Sequence, residues 1–271
     1  MSTAGRCAGC GNRLVPGTAI QGLCAACLLS DGVEGQAHAH ATDAGTSYRL
    51  LNMLGDSERG TTYLATLDGP TREHVVVKVL RSHIDPHALA ARINRLRAEL
   101  ATLDHPNIVG LRDGGWPGRG RPYVVSEFIR GRPLVQFCQR SEVGASERLR
   151  LLVQVCVAVA HAHESGITHG GLSSANVLVV QQAEGAVARV VDFGLTRLLQ
   201  TSAPLDLATA VLEDVRHLVT LLQDLLSPLT SEELGHAVAR LLGIDDAGQR
   251  RPASRWTSAA QMATDLRASF A

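Results

Sequence analysis

The chain has 271 residues, of which 45% are hydrophobic and only 3% aromatic, so its core must be built mainly from Leu, Val and Ala. The 26 Lys and Arg residues balance 26 Asp and Glu residues, and this zero formal charge does not favour a general nucleic-acid or membrane binder. The N-terminus lacks the apolar core of a signal peptide, and no apolar run is long enough to cross a bilayer. We therefore expect a soluble, cytoplasmic protein with one large domain, alone or with a small appendage.

Two C-x-x-C pairs open the chain, Cys7 with Cys10 and, after thirteen further residues, Cys24 with Cys27. Four thiolates at this spacing can surround one tetrahedral Zn²⁺, whose binding would contribute on the order of 10–16 kcal/mol to the folding of so short a segment. Two disulfides or unrelated thiols are the alternatives, which a cytoplasmic location disfavours. The motif resembles a zinc ribbon over residues 1–29. Because its four sulfur ligands leave no open position, we expect a structural zinc ion.

Residues 30–46 are rich in Gly, Ala, Thr and His and show no hydrophobic periodicity, which predicts a linker. Within it, His38 and His40 are interpreted as solvated side chains rather than metal ligands. The two remaining cysteines, Cys138 and Cys156, have apolar neighbours and are predicted to be buried thiols.

The rest of the chain, residues 47–271, changes from strand patterns to helix patterns along its length. The predicted elements are strands over 48–55, 61–67 and 74–80, a helix over 86–103, strands over 107–115 and 121–129, and a helix over 147–166 that ends in Gly166. A strand-rich first part followed by a helix-rich second part indicates an α+β domain with a cleft between the two parts.

Three runs in this domain, PYVVSEFIRGRPL, QVCVAVAHAHESGITHGGLSSANVLV and VVDFGLTRLL, together resemble bacterial Ser/Thr protein kinases of the eukaryotic-like type. The resemblance is strong over about residues 48–200 and weak beyond. A zinc ribbon ahead of the kinase domain also resembles a known arrangement in this family. The resemblance implies a bilobal kinase fold over residues 47–271, with a strand-rich N-lobe, a truncated helical C-lobe and a nucleotide site.

Lys78 matches the strand lysine that holds the α- and β-phosphates in the family. Its alternative interpretation is a surface lysine on an edge strand. The family's partner for this lysine is a helix glutamate, but the usual spacing leads to Leu96. Glu99, three residues later, is the candidate partner, and a solvated surface glutamate is the alternative.

The family's glycine-rich loop maps onto Gly55, Ser57 and Gly60, so the middle glycine is lost. A side chain at that position limits the approach of the backbone to the phosphates. Val76 stands where the family has an alanine against adenine, which narrows the pocket. We therefore expect weak ATP binding. The resemblance assigns the gatekeeper, the hinge and a further nucleotide contact to Ser126, Glu127, Ile129 and Leu178.

Asn176 and Asp192, the latter in an intact D-F-G, match the family's Mg²⁺ ligands, and both offer the oxygen atoms that a hard cation prefers. The alternative for both residues is that they are inherited from the family and bind no cation in this chain.

The catalytic loop itself is degenerate, because the family's H-R-D-L-K-P-x-N is replaced by HGGLSSAN from His169. Gly171 removes the carboxylate that orients the acceptor hydroxyl, and Ser173 removes the lysine that steadies the transferring phosphate. Loss of a positioned base lowers a rate by roughly 10²–10⁴-fold, and loss of charge stabilisation adds to this. Gly170 removes the arginine that senses a phosphorylated activation loop.

Further losses follow downstream. The A-P-E segment is absent, and Asp214, in a run that resembles the family's central buried helix, comes only 22 residues after Asp192. The activation and peptide-docking segment is therefore shortened. Arg251 and Pro252 resemble the family's late R-P pair without its glutamate partner.

Together these features predict a pseudokinase that binds ATP and Mg²⁺ weakly and acts through a protein partner. An active Ser/Thr kinase, or another ATP-dependent transferase with an atypical loop, is the alternative. A third interpretation is that the zinc ribbon carries the function, by binding nucleic acid or protein. Because that segment has only Arg6 and Arg13 as cations and no aromatic residue, nucleic acid is not expected as its ligand.

Overall fold

The computed structural model of the chain describes residues 39–40, 47–67, 73–82, 84–116, 121–201, 205–227, 229 and 256–268. The predicted zinc ribbon, most of the predicted linker and the pair Arg251 and Pro252 lie outside these residues. The chain divides into two compact units, which are described separately: Met1–Ala101 with Gly110–Phe128, and Thr102–Val109 with Ile129–Ala271.

The first unit is built on a six-stranded antiparallel sheet in the order β1-β2-β3-β4-β6-β5. Its strands are β1 (Ala39–His40), β2 (Ser47–Ser57), β3 (Gly60–Leu67), β4 (His74–Leu80), β5 (Leu111–Gly115) and β6 (Tyr123–Glu127). The predicted strands are present, with shifted ends. The strand predicted over 107–115 begins only at Leu111, and the short β1 falls inside the predicted linker.

Strand β4 shows how the sheet is packed. Val75, Val77 and Val79 alternate along the strand and are almost completely buried, while Val76 and Lys78 point to the opposite face and are partly exposed. Such alternation is typical of a strand with one face in a core. Tyr48, Tyr63, Ala65, Tyr123 and Val125 complete the core on the valine side.

Helix α1 (Pro86–Leu100) begins where the Asp85 side chain accepts a hydrogen bond from the N–H of Ala88, with proline in the first turn. Its buried residues follow helical spacing, at Leu89, Ile93, Leu96 and Leu100. The helix ends three residues earlier than predicted.

Arg97 ties helix α1 to the sheet. Arg97 forms an ion pair with Asp113 of β5 at 3.4 Å, and Asp113 also accepts a hydrogen bond from the Tyr48 hydroxyl at 2.9 Å. Burial and the contact with Asp113 raise the pKa of Tyr48 well above its ordinary value, so the hydroxyl stays protonated as a donor.

The second unit is mostly helical but contains a three-stranded antiparallel sheet in the order β7-β8-β9. Its elements are β7 (Arg132–Pro133), α2 (Leu134–Arg140), α3 (Ala145–Glu164), a 3₁₀ turn (Ser174–Asn176), β8 (Val177–Gln182), β9 (Gly185–Val190), α4 (Leu195–Leu199), α5 (Leu207–Leu226) and α6 (Ala259–Ala268). The β8–β9 hairpin was not among the predicted elements. Its signal was the apolar run after Asn176 followed by Gly185, whose φ of 136° suits a tight turn.

Helix α3 passes through the core of this unit, where Cys156 is completely buried, and Cys138 on α2 is also buried. Both predicted buried thiols are therefore confirmed. The predicted end of the long helix at Gly166 is nearly right, since α3 ends at Glu164 and Gly166 takes a φ of 71° just beyond it. None of the helices in the described ranges has the length and apolarity to span a membrane.

Candidate nucleotide site and catalytic loop

Strand register brings several predicted nucleotide residues of the first unit to one face of the sheet. Val76 of β4 lies directly opposite Ser126 of β6, and Lys78 lies opposite Thr62 of β3. Residues that face each other across antiparallel strands share a face, so these four side chains lie together on the side away from the valine core. Thr62 was not among the predicted site residues. It stands two residues after Gly60, where the family's loop pattern has a valine, and counting onward would have found it.

The glycine-rich loop is the hairpin between β2 and β3, in which Ser57 pairs with Gly60 and its hydroxyl donates to the Gly60 carbonyl at 3.1 Å. A Cβ on Gly60 would stand 2.2 Å from the Val79 carbonyl oxygen. Glycine is therefore required there by strand packing alone. A Cβ on Gly55, by contrast, would meet nothing within 4 Å.

A polar cluster holds this hairpin in place. The Arg81 guanidinium lies 2.7 Å from the Asp56 carboxylate and also bonds the Ser57 carbonyl, while the Thr61 hydroxyl donates to Asp56 at 2.6 Å. The hydrogen bonds from Thr61 and Arg81 lower the pKa of Asp56. The loop is thus tethered by a residue that directly follows β4, the strand that carries Lys78.

Helix α1 places the two candidate glutamate positions differently. Leu96, where the family's spacing leads, is 3% exposed and belongs to the packing stripe. Glu99 is partly exposed, and its Oε1 lies 3.3 Å from Nε of Arg95. Its pairing with Lys78 stays a prediction.

In the second unit, the degenerate catalytic loop is anchored by the buried carboxylate of Asp214 on α5. Its oxygens accept hydrogen bonds from the backbone N–H of His169 at 2.7 Å and of Gly170 at 2.8 Å. Nε2 of His163 on α3 lies 2.9 Å from the same carboxylate. Burial acts to raise the pKa of Asp214, but the hydrogen bonds from His163, Gly170 and His169 outweigh it, and the pKa lies below its ordinary value.

The His169 side chain connects the loop to the D-F-G segment. Its Nε2 lies 3.0 Å from the Val191 carbonyl oxygen, its ring packs on Phe193 with centroids 4.8 Å apart, and its own carbonyl accepts the Gly194 N–H at 3.2 Å. Burial lowers the pKa of His169, so the ring stays neutral near pH 7. With Nε2 as the donor to Val191, Nδ1 finds no hydrogen-bond partner in the described part of the chain.

Two glycines of the loop differ in backbone conformation. Gly170 has a φ of 74°, in the left-handed region, whereas Gly171 does not. A Cβ on Gly170 would stand 3.7 Å from Thr196 of α4, in ordinary contact. The constraint at position 170 is therefore conformational. Ser173, further along the same loop, is exposed.

Both predicted Mg²⁺ ligands, Asn176 and Asp192, have the side-chain oxygen atoms that a hard cation prefers. Nδ2 of Asn176 donates to the Gly171 carbonyl at 2.9 Å, and this bond fixes the orientation of the amide whose oxygen would bind a cation. Asp192 has a φ of 64°, an unusual conformation for a residue other than glycine. The described residues contain no group of three or more His, Cys, Asp or Glu side chains arranged around a metal.

Among the remaining predicted contacts, Ser126 and Glu127 end strand β6 of the first unit. In the second unit, the Ile129 carbonyl accepts the Gly131 N–H at 2.9 Å, and Leu178 of β8 is half-buried opposite Pro133. Of the predicted hinge residues, Glu127 therefore belongs to the end of the first unit and Ile129 to the start of a segment of the second.

This fold and this ordered set of motifs define a kinase domain, and comparison with known proteins agrees. The protein tyrosine and serine/threonine kinase family matches residues 48–211. The chain belongs to this family.

Its curated relatives include bacterial serine/threonine kinases at about 30% identity. The serine/threonine-protein kinase pkn2 of Myxococcus xanthus is 33% identical over 159 residues, 58% of this chain and 19% of that protein. The probable serine/threonine-protein kinase PknB of Lactococcus lactis is 31% identical over 158 residues, 58% of this chain and 25% of that protein. Pkn1 of Myxococcus xanthus, also a serine/threonine-protein kinase, is 30% identical over 216 residues, 75% of this chain and 30% of that protein. The chain thus spans less than a third of the length of these relatives.

Proposed function

We propose that this chain is a pseudokinase, a kinase-family domain that acts by binding rather than by phosphoryl transfer. The observation that carries the proposal is the loop at Gly171. The Asn176 amide bonds the backbone of residue 171 and Asp214 anchors the loop just before it, yet position 171 has no side chain. A loop that keeps its anchors without the carboxylate is organised for something other than orienting an acceptor hydroxyl.

The nucleotide would be ATP with Mg²⁺, held weakly. Lys78 would bind the phosphates, and Asn176 and Asp192 would hold the cation, which neutralises phosphate charge when bound. Ser57 in place of glycine and the tether from Arg81 both restrict the loop that would cover the phosphates. The contribution of this chain's residues is therefore to bind and orient a nucleotide, not to deprotonate an acceptor.

A protein is the proposed partner, and the cytoplasm the proposed location. The shortened segment between Asp192 and Asp214 removes the platform on which the family docks peptides for phosphorylation, so a partner would bind elsewhere. The four-cysteine motif at residues 7–27 is the proposed zinc ribbon, and a structural role for its metal is part of this proposal.

An active Ser/Thr kinase, or another ATP-dependent transferase, is the second candidate. It is favoured by the retained Lys78, Asn176 and Asp192 and by the relatives, which are named serine/threonine-protein kinases. Another group would then have to replace the missing base.

Thermal unfolding in the presence of ATP, with and without Mg²⁺, tests nucleotide binding. Ligand at 100 times its dissociation constant stabilises by about 2.7 kcal/mol, which corresponds to a rise of several degrees at roughly 2–4 °C per kcal/mol. We expect the rise in the full chain and its loss in Lys78→Met and in Asp192→Asn. Absence of any shift at millimolar ATP and Mg²⁺ would restrict the role to a scaffold, and transfer of labelled phosphate by the unmodified chain would favour the second candidate.

A further inference from the structure

The segment Thr102–Val109, here called the docked loop, joins helix α1 to strand β5 along the chain but packs within the second unit. It adds to the sheet edge at β9. The Val109 N–H donates to the Val190 carbonyl at 2.9 Å, and the Val190 N–H donates to the Asn107 carbonyl at 2.7 Å. Ile108 and Val190 form a parallel bridge between these bonds.

The Asn107 side chain is the second anchor of the docked loop. Its Nδ2 donates to the Ala188 carbonyl at 2.6 Å and to Oε1 of Gln154 on α3 at 3.2 Å. Gln154 in turn accepts the Ala188 N–H at 2.9 Å. Both the backbone and the side chain of Asn107 must therefore keep one position for the loop to stay docked.

His105 sets that position through a single acceptor atom. The backbone N–H of Asn107 donates to Nδ1 of His105 at 3.1 Å, so Nδ1 carries no proton in this arrangement. The ring lies 5.2 Å, centroid to centroid, from the ring of His161 on α3. Nε2 of His161 is buried and finds no hydrogen-bond partner within the described ranges.

We propose that His105, with His161 beside it, makes the docking of this loop sensitive to protons. A proton on Nδ1 of His105 converts the acceptor for Asn107 into a donor, and two N–H groups then face each other. It also places a positive charge next to a second histidine, in a partly buried site where a like charge is poorly screened. Acid would therefore loosen Asn107 and release the loop from β9 while the rest of the unit stays folded.

The pKa of His105 is shifted in the direction that favours a neutral ring in the docked loop. Burial and His161 lower the pKa of His105, and Asp104 on the loop opposes them. On β9, the groups that contact the docked loop are the backbone atoms of Ala188 and Val190. A lowered pKa in the docked state means that docking is fully stable above the ordinary value near 6.5 and is weakened as the pH falls below it.

Hydrogen exchange of the full chain at pH 7.5 and pH 5.5, corrected for intrinsic rates, tests the proposal without any nucleotide. One histidine with an undocked pKa near 6.5 can shift the docking equilibrium by at most about tenfold over this range. We expect protection of residues 107–109 to fall by several-fold, towards that limit, through a local opening that depends on His105.

His105→Asn is the matched variant, because an asparagine oxygen can accept the N–H two residues later but does not titrate in this range. It should keep the loop protected at pH 7.5 and reduce the pH effect to less than twofold. His87→Asn, at an exposed position on α1, should behave as the unmodified chain. An undiminished pH effect at residues 107–109 in His105→Asn would overturn the proposal. Protection of the α3 core in the same samples reports any change in global stability and is compared separately.

Discussion

The carboxylate of Asp214 accepts a hydrogen bond from the backbone N–H of Gly170, 44 residues earlier in the chain, at 2.8 Å. The side chain is completely buried in α5 and also receives the N–H of His169. A helix in the middle of the second unit thus sets the shape of the degenerate catalytic loop.

Asp214→Asn should destabilise the protein by roughly 1–3 kcal/mol, because one of the oxygens becomes an NH₂ group that faces a donor and leaves it unsatisfied. Thermal unfolding at pH 7.5 measures this, with an expected fall of a few degrees or more. Asp224→Asn is the control on the same helix, since that residue is exposed, and should change little. Equal stability of the two variants would mean that Asp214 does not anchor the loop.

Gly170→Ala should cost roughly 1–2 kcal/mol, because residue 170 has a φ of 74° and a side chain is strained in the left-handed region. Gly110→Ala is the matched control, since a Cβ there meets nothing within 4 Å and the backbone is not left-handed. Denaturant unfolding of the two variants gives the comparison. A cost at position 110 as large as that at 170 would remove the conformational explanation.

The stability of the chain should fall in mild acid because His169 is buried and neutral. Its pKa is lowered from 6.5 in the folded state, so below pH 6.5 the unfolded chain takes up a proton that the folded chain refuses. The stability is complete above pH 6.5 and is lost as the pH falls, by up to about 1.4 kcal/mol per pH unit. The lowered pKa of Asp214 acts in the same direction, but only below its ordinary value of 3.8.

Denaturant unfolding between pH 7.5 and 5.5 measures this effect. His169→Phe keeps a ring against Phe193 and removes the titration, so its stability should be lower at pH 7.5 but less dependent on pH. Making the His169→Phe change in a chain that already carries His105→Asn removes the contribution of the docked loop to the pH dependence. A pH slope as steep in His169→Phe as in its parent would assign the acid sensitivity to other groups.

Much of this architecture is predictable because it follows local patterns. The alternation of Val75, Val77 and Val79 identifies a strand with one buried face, and the same alternation places Lys78 on the other face. Motif order likewise led to Asp214 as the aspartate of a central buried helix, and the structure shows that it is buried and bonded to the loop.

What the sequence did not predict depends on register and on contacts between distant residues. Thr62 joins Lys78 only because β3 and β4 pair in one register. The left-handed conformation of Gly170 and the tether from Arg81 to Asp56 depend on partners 44 and 25 residues away. The periodicity of the sequence does not predict such contacts. Gly170, where the family has an arginine, is therefore also needed for its left-handed backbone conformation.

The purified protein should contain about one zinc ion per chain, bound by Cys7, Cys10, Cys24 and Cys27. A tetrahedral four-thiolate site loses much of its affinity when one ligand is removed, so Cys24→Ser should lower the metal content. Elemental analysis checks this, with Cys156→Ala as a control that removes a thiol outside the motif. Equal zinc content in the unmodified chain and Cys24→Ser would contradict the assignment.

Gly171→Asp combined with Ser173→Lys should not restore protein phosphorylation. The two changes return the base and the phosphate-steadying cation, and the chemistry alone could recover several powers of ten in rate. The loop should accept both side chains, because residue 171 is outside the left-handed region and Ser173 is exposed. Failure would therefore not be a trivial consequence of misfolding, which thermal unfolding of the double variant can verify.

The reason for the expected failure is orientation, because an acceptor hydroxyl that is not held in line gains little from a nearby base. The family's peptide platform is shortened between Asp192 and Asp214, and its later docking stretch is missing between Leu226 and Glu232. The repaired site should show at most slow ATP hydrolysis in labelled-phosphate assays on generic acceptor proteins, run beside the unmodified chain. Clear transfer by the double variant would show that the platform is dispensable, and clear transfer by the unmodified chain would overturn the pseudokinase assignment itself.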